Sequence, residues 1–234
     1  SATLYSWSAP TVTGGLTGGA AASNQTTVNG TLSNPTSSAQ TATYTVTPTS
    51  GNCTGPTFTV TVTVNPLPTL SVTATPTAIC TGQSSQLSVT GADTYSWSPA
   101  TGLSATTGTP VTATLTNNTS SNTTTTYTVN GVDANGCHNT AQSTITVNPL
   151  PIVGAGAPQA ICIGSNVTLA GSGAVSYAWN NNVVDGIAFS PNSTSSYTVT
   201  GTDANGCINT AQTTVTVNML AVNGLCHKNS QDPL

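Results

Sequence analysis

Six cysteines, two histidines, five aspartates and one lysine are the residues of this 234-residue chain whose types could do chemistry. There is no Glu and no Arg. A hydrolytic pair needs two carboxylates at a fixed separation, whereas Asp93, Asp133, Asp185, Asp203 and Asp232 are scattered. Asp133 and Asp203 each open an Asp-Ala-Asn-Gly-Cys run, where an Asx-type turn is the expected role. Calcium loops call for clustered carboxylates in D-x-D spacing, which is not seen. His138 and His227 each lie beside a cysteine but are too far apart in sequence to read as a zinc set. No G-x-S-x-G elbow marks a serine nucleophile. The sequence therefore predicts no enzyme, no catalytic residue, no metal and no cofactor. The chemistry it does predict is that of cysteine pairs.

The surroundings of those cysteines are unusual. Charged residues make up 3% of the chain, against roughly 25% in an ordinary globular domain. Fifty Thr, 26 Ser and 22 Asn take their place. Lys228, the one cation, cannot neutralise a phosphate backbone, so nucleic acid is excluded as a partner. Basic membrane-surface helices and Glu/Lys-rich coiled coils are excluded for the same reason. No run approaches the ~20 apolar residues of a membrane span, so no membrane insertion is expected. The chain shows no signal peptide and does not begin with Met, which reads as a mature product or a piece of one. Six cysteines without a C-x-x-C pair point to disulfides and an extracellular location.

The elements that must hold these residues are strands. Apolar residues alternate with Thr at Ala42-Tyr44-Val46, Phe58-Val60-Val62-Val64, Tyr127-Val129, Ile145-Val147, Tyr197-Val199 and Val215-Val217. Period two places one face inward and leaves Thr on the other. No capped 3.6-residue stripe is present, so the fold class is all-β. Asp133-Ala-Asn-Gly-Cys137 recurs at Asp203-Ala-Asn-Gly-Cys207, Ala78-Ile79-Cys80 at Ala160-Ile161-Cys162, and Tyr95-Ser-Trp97 at Tyr177-Ala-Trp179. Asn-Gly between alternating runs is a strong hairpin signal. Asn65-Pro-Leu-Pro68 and Asn148-Pro-Leu-Pro151 join the units as short stiff linkers. Short strands, an early Trp and a cysteine pair form an immunoglobulin-like pattern. The sequence predicts tandem immunoglobulin-like β-sandwiches in an elongated rod, with units at 1–66, 67–149 and 150–218 and a tail at 219–234.

Within each complete unit the economical pairing is Cys80–Cys137 and Cys162–Cys207. The first unit is short of a leading strand: it opens just before Tyr5-Ser-Trp7 and carries Cys53 at its hairpin. The tail holds Gly224-Leu225-Cys226, which matches a leading strand with no domain behind it. Joining the two ends gives a Cys226-to-Cys53 separation of (234 − 226) + 53 = 61, close to 137 − 80 = 57 and 207 − 162 = 45. The expectation is a head-to-tail homopolymer in which Leu220, Val222, Leu225 and Cys226 of one copy complete the first unit of the next. A disulfide between Cys53 and Cys226 would seal it. One period of a longer covalent array and a fragment with frayed ends are the competing readings.

Tyr95-Ser-Trp-Ser-Pro-Ala-Thr-Gly-Leu103, the Asp-Ala-Asn-Gly-Cys hairpins and the Val-Asn-Pro-Leu-Pro linkers resemble PKD-like and Ig-like repeats of large secreted Bacteroidetes surface proteins. The resemblance covers nearly the whole chain and is tightest in the second and third units. It implies a secreted or cell-surface stalk or filament, of adhesin or gliding-motility type, and no catalytic residues. Glycans or other cell-surface components are further candidate partners. The Thr-x-Thr rows, such as 57 to 63, suggest a flat hydroxyl surface for polysaccharide or ice. Thr is also simply a good strand residue for a solvent face, and that plainer reading is preferred.

Overall fold

A computed structural model describes residues 2–219. Residues 220–234 of the tail expected to act as a donor strand lie outside them, Leu220, Val222, Leu225 and Cys226 included. Among the described residues every regular element is a strand.

The first unit holds β1 (Leu4–Trp7), β2 (Thr11–Val12), β3 (Thr17–Gly18), β4 (Ala22–Gln25), β5 (Leu32–Ser33), β6 (Gln40–Ser50), β7 (Cys53–Thr54) and β8 (Phe58–Val64). The second holds β9 (Ser71–Thr75), β10 (Ala78–Cys80), β11 (Ser84–Thr90), β12 (Thr94–Ser98), β13 (Val111–Thr114), β14 (Thr123–Val132) and β15 (His138–Asn148). The third holds β16 (Gln159–Cys162), β17 (Val167–Thr168), β18 (Ser176–Trp179), β19 (Ala188–Phe189), β20 (Ser195–Thr202) and β21 (Ile208–Asn218).

The second unit is the fullest sandwich. One sheet runs β10-β15-β14-β12 and the facing sheet β13-β11-β9. The third unit repeats the first of these as β16-β21-β20-β18, facing the short pair β17-β19. In both, a long hairpin (β14-β15 or β20-β21) forms the middle of the sheet. A short leading strand then lies parallel to its second arm, with Ile79 opposite Val147 and Ile161 opposite Val217. The alternation read from the sequence accounts for the core. Leu87, Tyr127, Val129, Ile145 and Val147 are buried between the two sheets, while the intervening Thr residues face out. These are tandem immunoglobulin-like sandwiches.

Each unit has its own core, centred on its Trp and on the Tyr of the Tyr-Thr-Val strand. Trp7, Trp97 and Trp179 are buried with Tyr44, Tyr127 and Tyr197. Their indole N–H groups donate to Ala20 O, Gly108 O and Asp185 Oδ1, which satisfies a polar atom that burial would otherwise strand. The cores differ in size. Twelve buried residues make the second, eight the third and five the first.

Candidate functional site at the junction between repeats

The Asp-Ala-Asn-Gly-Cys turns fold as expected. Asp133 Oδ1 accepts hydrogen bonds from the Asn135 N–H at 2.9 Å and the Cys137 N–H at 2.8 Å. Asp203 Oδ1 does the same for Asn205 and Cys207, both at 2.8 Å. Gly136 and Gly206 take the positive φ that closes each turn, 81° and 79°. Just beyond the turn an Asn reaches back to the linker. Asn139 Nδ2 donates to Pro68 O and Asn209 Nδ2 to Pro151 O, each at 3.0 Å. The hairpin turn of every complete unit is thereby clamped to the linker that precedes it.

That clamp decides the cysteine pairing. Cys80 lies opposite Asn148 at the far end of β15, whereas Cys137 immediately precedes the start of the same strand. β15 has 11 residues, so the two cysteines are separated by roughly 35 Å at ~3.3 Å per residue. The expected Cys80–Cys137 bridge does not form. Cys80 instead bonds Cys207, with Cα atoms 5.5 Å apart, because Asn148 leads through the linker to the clamped turn of the next unit. The expected Cys162–Cys207 bridge is excluded with it. Cys162, at the matching place in β16, is disulfide-bonded as well. The economy of the within-unit pairing rested on sequence distance and ignored strand direction. A leading strand parallel to the last strand carries its cysteine away from its own hairpin and toward the following one.

Cys53 and Cys137 are free, Cys53 exposed and Cys137 half-buried. Cys53 sits in β7 opposite Ser50, at the far end of the β6-β8 ladder from Val64.

The first unit departs from the second in its facing sheet, which is only the pair β3-β5, and along the edge of β8. Aligning Val-Asn-Pro-Leu-Pro places β8 on β15 and Val62 on Ile145. β8 pairs with β6 on one side, Val62 opposite Ala42, and among the described residues no strand lies on its other side. Ile145 and Val215 are fully buried, but Val62 is 38% exposed and Phe58 42%. Beside Val62 a cavity of about 170 Å³ is lined by Val28, Leu32, Tyr44 and Val60 among others. An apolar cavity of ~150 Å³ accommodates benzene, so this one is of side-chain size. In the second unit Ile79, on the leading strand, supplies apolar bulk at the corresponding edge and is buried.

An Asn brackets the end of the last strand in the first and second units alike. Asn117 Nδ2 donates to Ser121 O and to Val147 O, both at 2.8 Å, and its Oδ1 accepts from Thr119 N–H at 2.9 Å. Asn34 makes the same bonds to Ser38 O, Val64 O and Thr36 N–H. The signal was present as Asn34-Pro-Thr-Ser-Ser38 and Asn117-Asn-Thr-Ser-Ser121.

The outward Thr rows form hydroxyl pairs across the ladders, Thr43 with Thr61 at 3.3 Å and Thr126 with Thr144 at 2.8 Å. Among the described residues no three His, Cys, Asp or Glu side chains converge as a metal set, and no helix is long and apolar enough to cross a membrane.

Residues 1–68 match the model of the PKD-like domain. No curated protein matches the chain. Among solved structures, the insect immune protein hemolin aligns over 76% of this chain and 56% of its own at 15% identity and a TM-score of 0.36. A three-domain stretch of mouse cadherin-23 aligns over 93% and 86% at 11% identity and a TM-score of 0.27. SGBP-B of a Bacteroides ovatus mixed-linkage glucan utilization locus, solved with a mixed-linkage heptasaccharide, aligns over 93% and 60% at 15% identity and a TM-score of 0.20. The chain spans a little over half the length of the hemolin and protocadherin gamma B2 chains it aligns with.

Proposed function

We propose that the chain is a structural module of an extracellular bacterial filament or stalk. In this reading tandem immunoglobulin-like repeats form a rod, and copies join head to tail by lending a strand to the first repeat of the next. The observation that carries it is the edge of β8. The second and third units pair the end of this strand with a parallel leading strand and bury Ile145 and Val215, and the first leaves Val62 exposed beside an apolar cavity. An unpaired strand edge of this kind invites strand addition, in which backbone hydrogen bonds give affinity and alternate side chains fill pockets.

The donor proposed is the segment 219–234, with Leu220, Val222 and Leu225 as its apolar positions. A contact between unlike ends propagates as a fibre wherever its rotation does not close a ring. Near-absence of charge removes the self-repulsion that keeps most soluble proteins apart. A disulfide between consecutive units fits an oxidising, extracellular setting.

The same inter-repeat disulfide favours a second reading, one stretch of a longer covalent surface array whose binding tip lies elsewhere. Electron micrographs of the purified chain separate the two. Filaments with a three-repeat period that fall apart on Val62→Asp support strand lending. Single short rods at every concentration overturn it and leave the covalent array.

A further inference from the structure

We propose that Cys137 is the covalent latch for whatever leading strand fills the open edge of the first unit, and that this strand is of the repeat's own kind, an extended Thr-rich segment ending apolar-apolar-Cys like Ala78-Ile79-Cys80. This rests on the open β8 edge described above, and it differs from the donor 219–234, whose Met-Leu-Ala-Val-Asn-Gly-Leu-Cys run holds no Thr, by naming a repeat-type leading strand as occupant and Cys137 rather than Cys53 as its disulfide partner.

Three observations place the latch. First, the register is the same in both complete units: Cys80 lies opposite Asn148 and Cys162 opposite Asn218, each the Asn that ends its long strand. The equivalent residue in the first unit is Asn65, directly after β8. Second, the turn that follows each linker is held to it identically, Asn139 on Pro68 O and Asn209 on Pro151 O. Cys137 therefore stands to Asn65 as Cys207 stands to Asn148. Third, Cys207 is bonded to its leading-strand cysteine while Cys137 is free. A strand seated on β8 in the shared register sets its cysteine opposite Asn65, beside Cys137 and at the far end of the ladder from Cys53. Its penultimate apolar residue takes the place that Ile79 holds opposite Val147.

The bond forms by thiol–disulfide exchange. The Cys137 thiolate attacks the sulfur of an incoming cysteine already held in a mixed disulfide, one S–S bond forms as one breaks, and the second thiol departs. A small disulfide such as oxidised glutathione supplies the oxidising equivalents in a native setting.

The test uses the full chain and a synthetic peptide with the sequence of residues 69–83, its cysteine activated as the 2-thiopyridyl mixed disulfide. Adducts are mapped by mass spectrometry after proteolysis, and rates are read from thiopyridone release. Exposure alone favours Cys53. Docking raises the effective concentration at Cys137 toward the millimolar range, so at micromolar peptide Cys137 is expected to react about tenfold faster than Cys53. The peptide carrying Ile79→Asp loses that advantage, and so does the chain carrying Val62→Asp. Labelling of Cys53 as fast as Cys137, or equal labelling of Cys137 by the Ile79→Asp peptide, overturns the proposal. The result is separable from the filament reading. Selective capture by a chain that never polymerises keeps the latch and removes the filament, and filaments sealed through Cys53 do the reverse.

Discussion

The first and second units share the Trp strand and the long hairpin, and among the described residues the first has no counterpart of β9, β10 or β11. In the second, β10 lies along the end of β15, Ile79 is buried, and twelve residues form the core. In the first, β8 has no such neighbour among the described residues, and five residues form the core. Both keep the Trp, the Tyr-Thr-Val strand and the Asn bracket on the last strand. The difference teaches that the hairpin and the Trp hold a small core by themselves, while β9, β10 and β11 enlarge it with Ala74, Ile79, Leu87 and Val89.

The largest contrast is expected from a charge placed at the same point of both units. Ile145→Asp buries an unpaired carboxylate in a closed core and should cost more than about 4 kcal/mol, unfolding the second unit. Val62→Asp sits at a half-open edge and should cost within about 1 kcal/mol. Urea denaturation followed through hydrogen exchange of each unit checks both. Equal losses would break the comparison.

Truncating the plug comes next. Ile79→Ala should destabilise the second unit by roughly 2–4 kcal/mol and leave the first unchanged. If the second unit tolerates the loss, the leading strand is not what closes the core.

Asp203→Ala removes the acceptor of two backbone N–H groups in the turn and should cost about 1–3 kcal/mol. The same change should slow formation of the Cys80–Cys207 bond on reoxidation, because the turn no longer presents Cys207. Quantifying the free thiol at Cys207 against time reads this directly.

The smallest effect concerns Tyr127. Burial raises its hydroxyl pKa above the usual value, so the fold favours the neutral phenol. Its contribution is fully present below the unfolded value near pH 10 and is lost as pH rises through the folded one. Thermal melts between pH 9 and 11 should show a downturn for the second unit that Tyr127→Phe flattens.

Much of the fold was legible in the sequence because period two is a direct consequence of strand geometry, and it marked Tyr127, Val129, Ile145 and Val147 as core without help. The role of Asp133 and Asp203 was legible too, since the Asx turn is a local event within five residues. The cysteine pairing was not. It depends on the parallel direction of β10 against β15, which no local pattern records, and on a clamp between Asn209 and Pro151 that spans 58 residues. The Asn34 and Asn117 brackets were legible in principle as a repeated Asn-x-Thr-Ser-Ser, but they were hidden in a chain where Asn, Thr and Ser are common everywhere.

The central claim is that the first unit carries an unfilled edge. In the second unit the Thr146 N–H donates to Thr77 O of the leading segment at 2.9 Å. Thr63 is its counterpart on β8, and by the shared register its N–H faces the open side. The most direct measurement is amide exchange at these two residues, with and without the 69–83 peptide. Thr63 should exchange near the unprotected rate in the free chain and become protected when the peptide binds, while Thr146 stays protected throughout. Equal protection of Thr63 and Thr146 in the free chain would contradict the account.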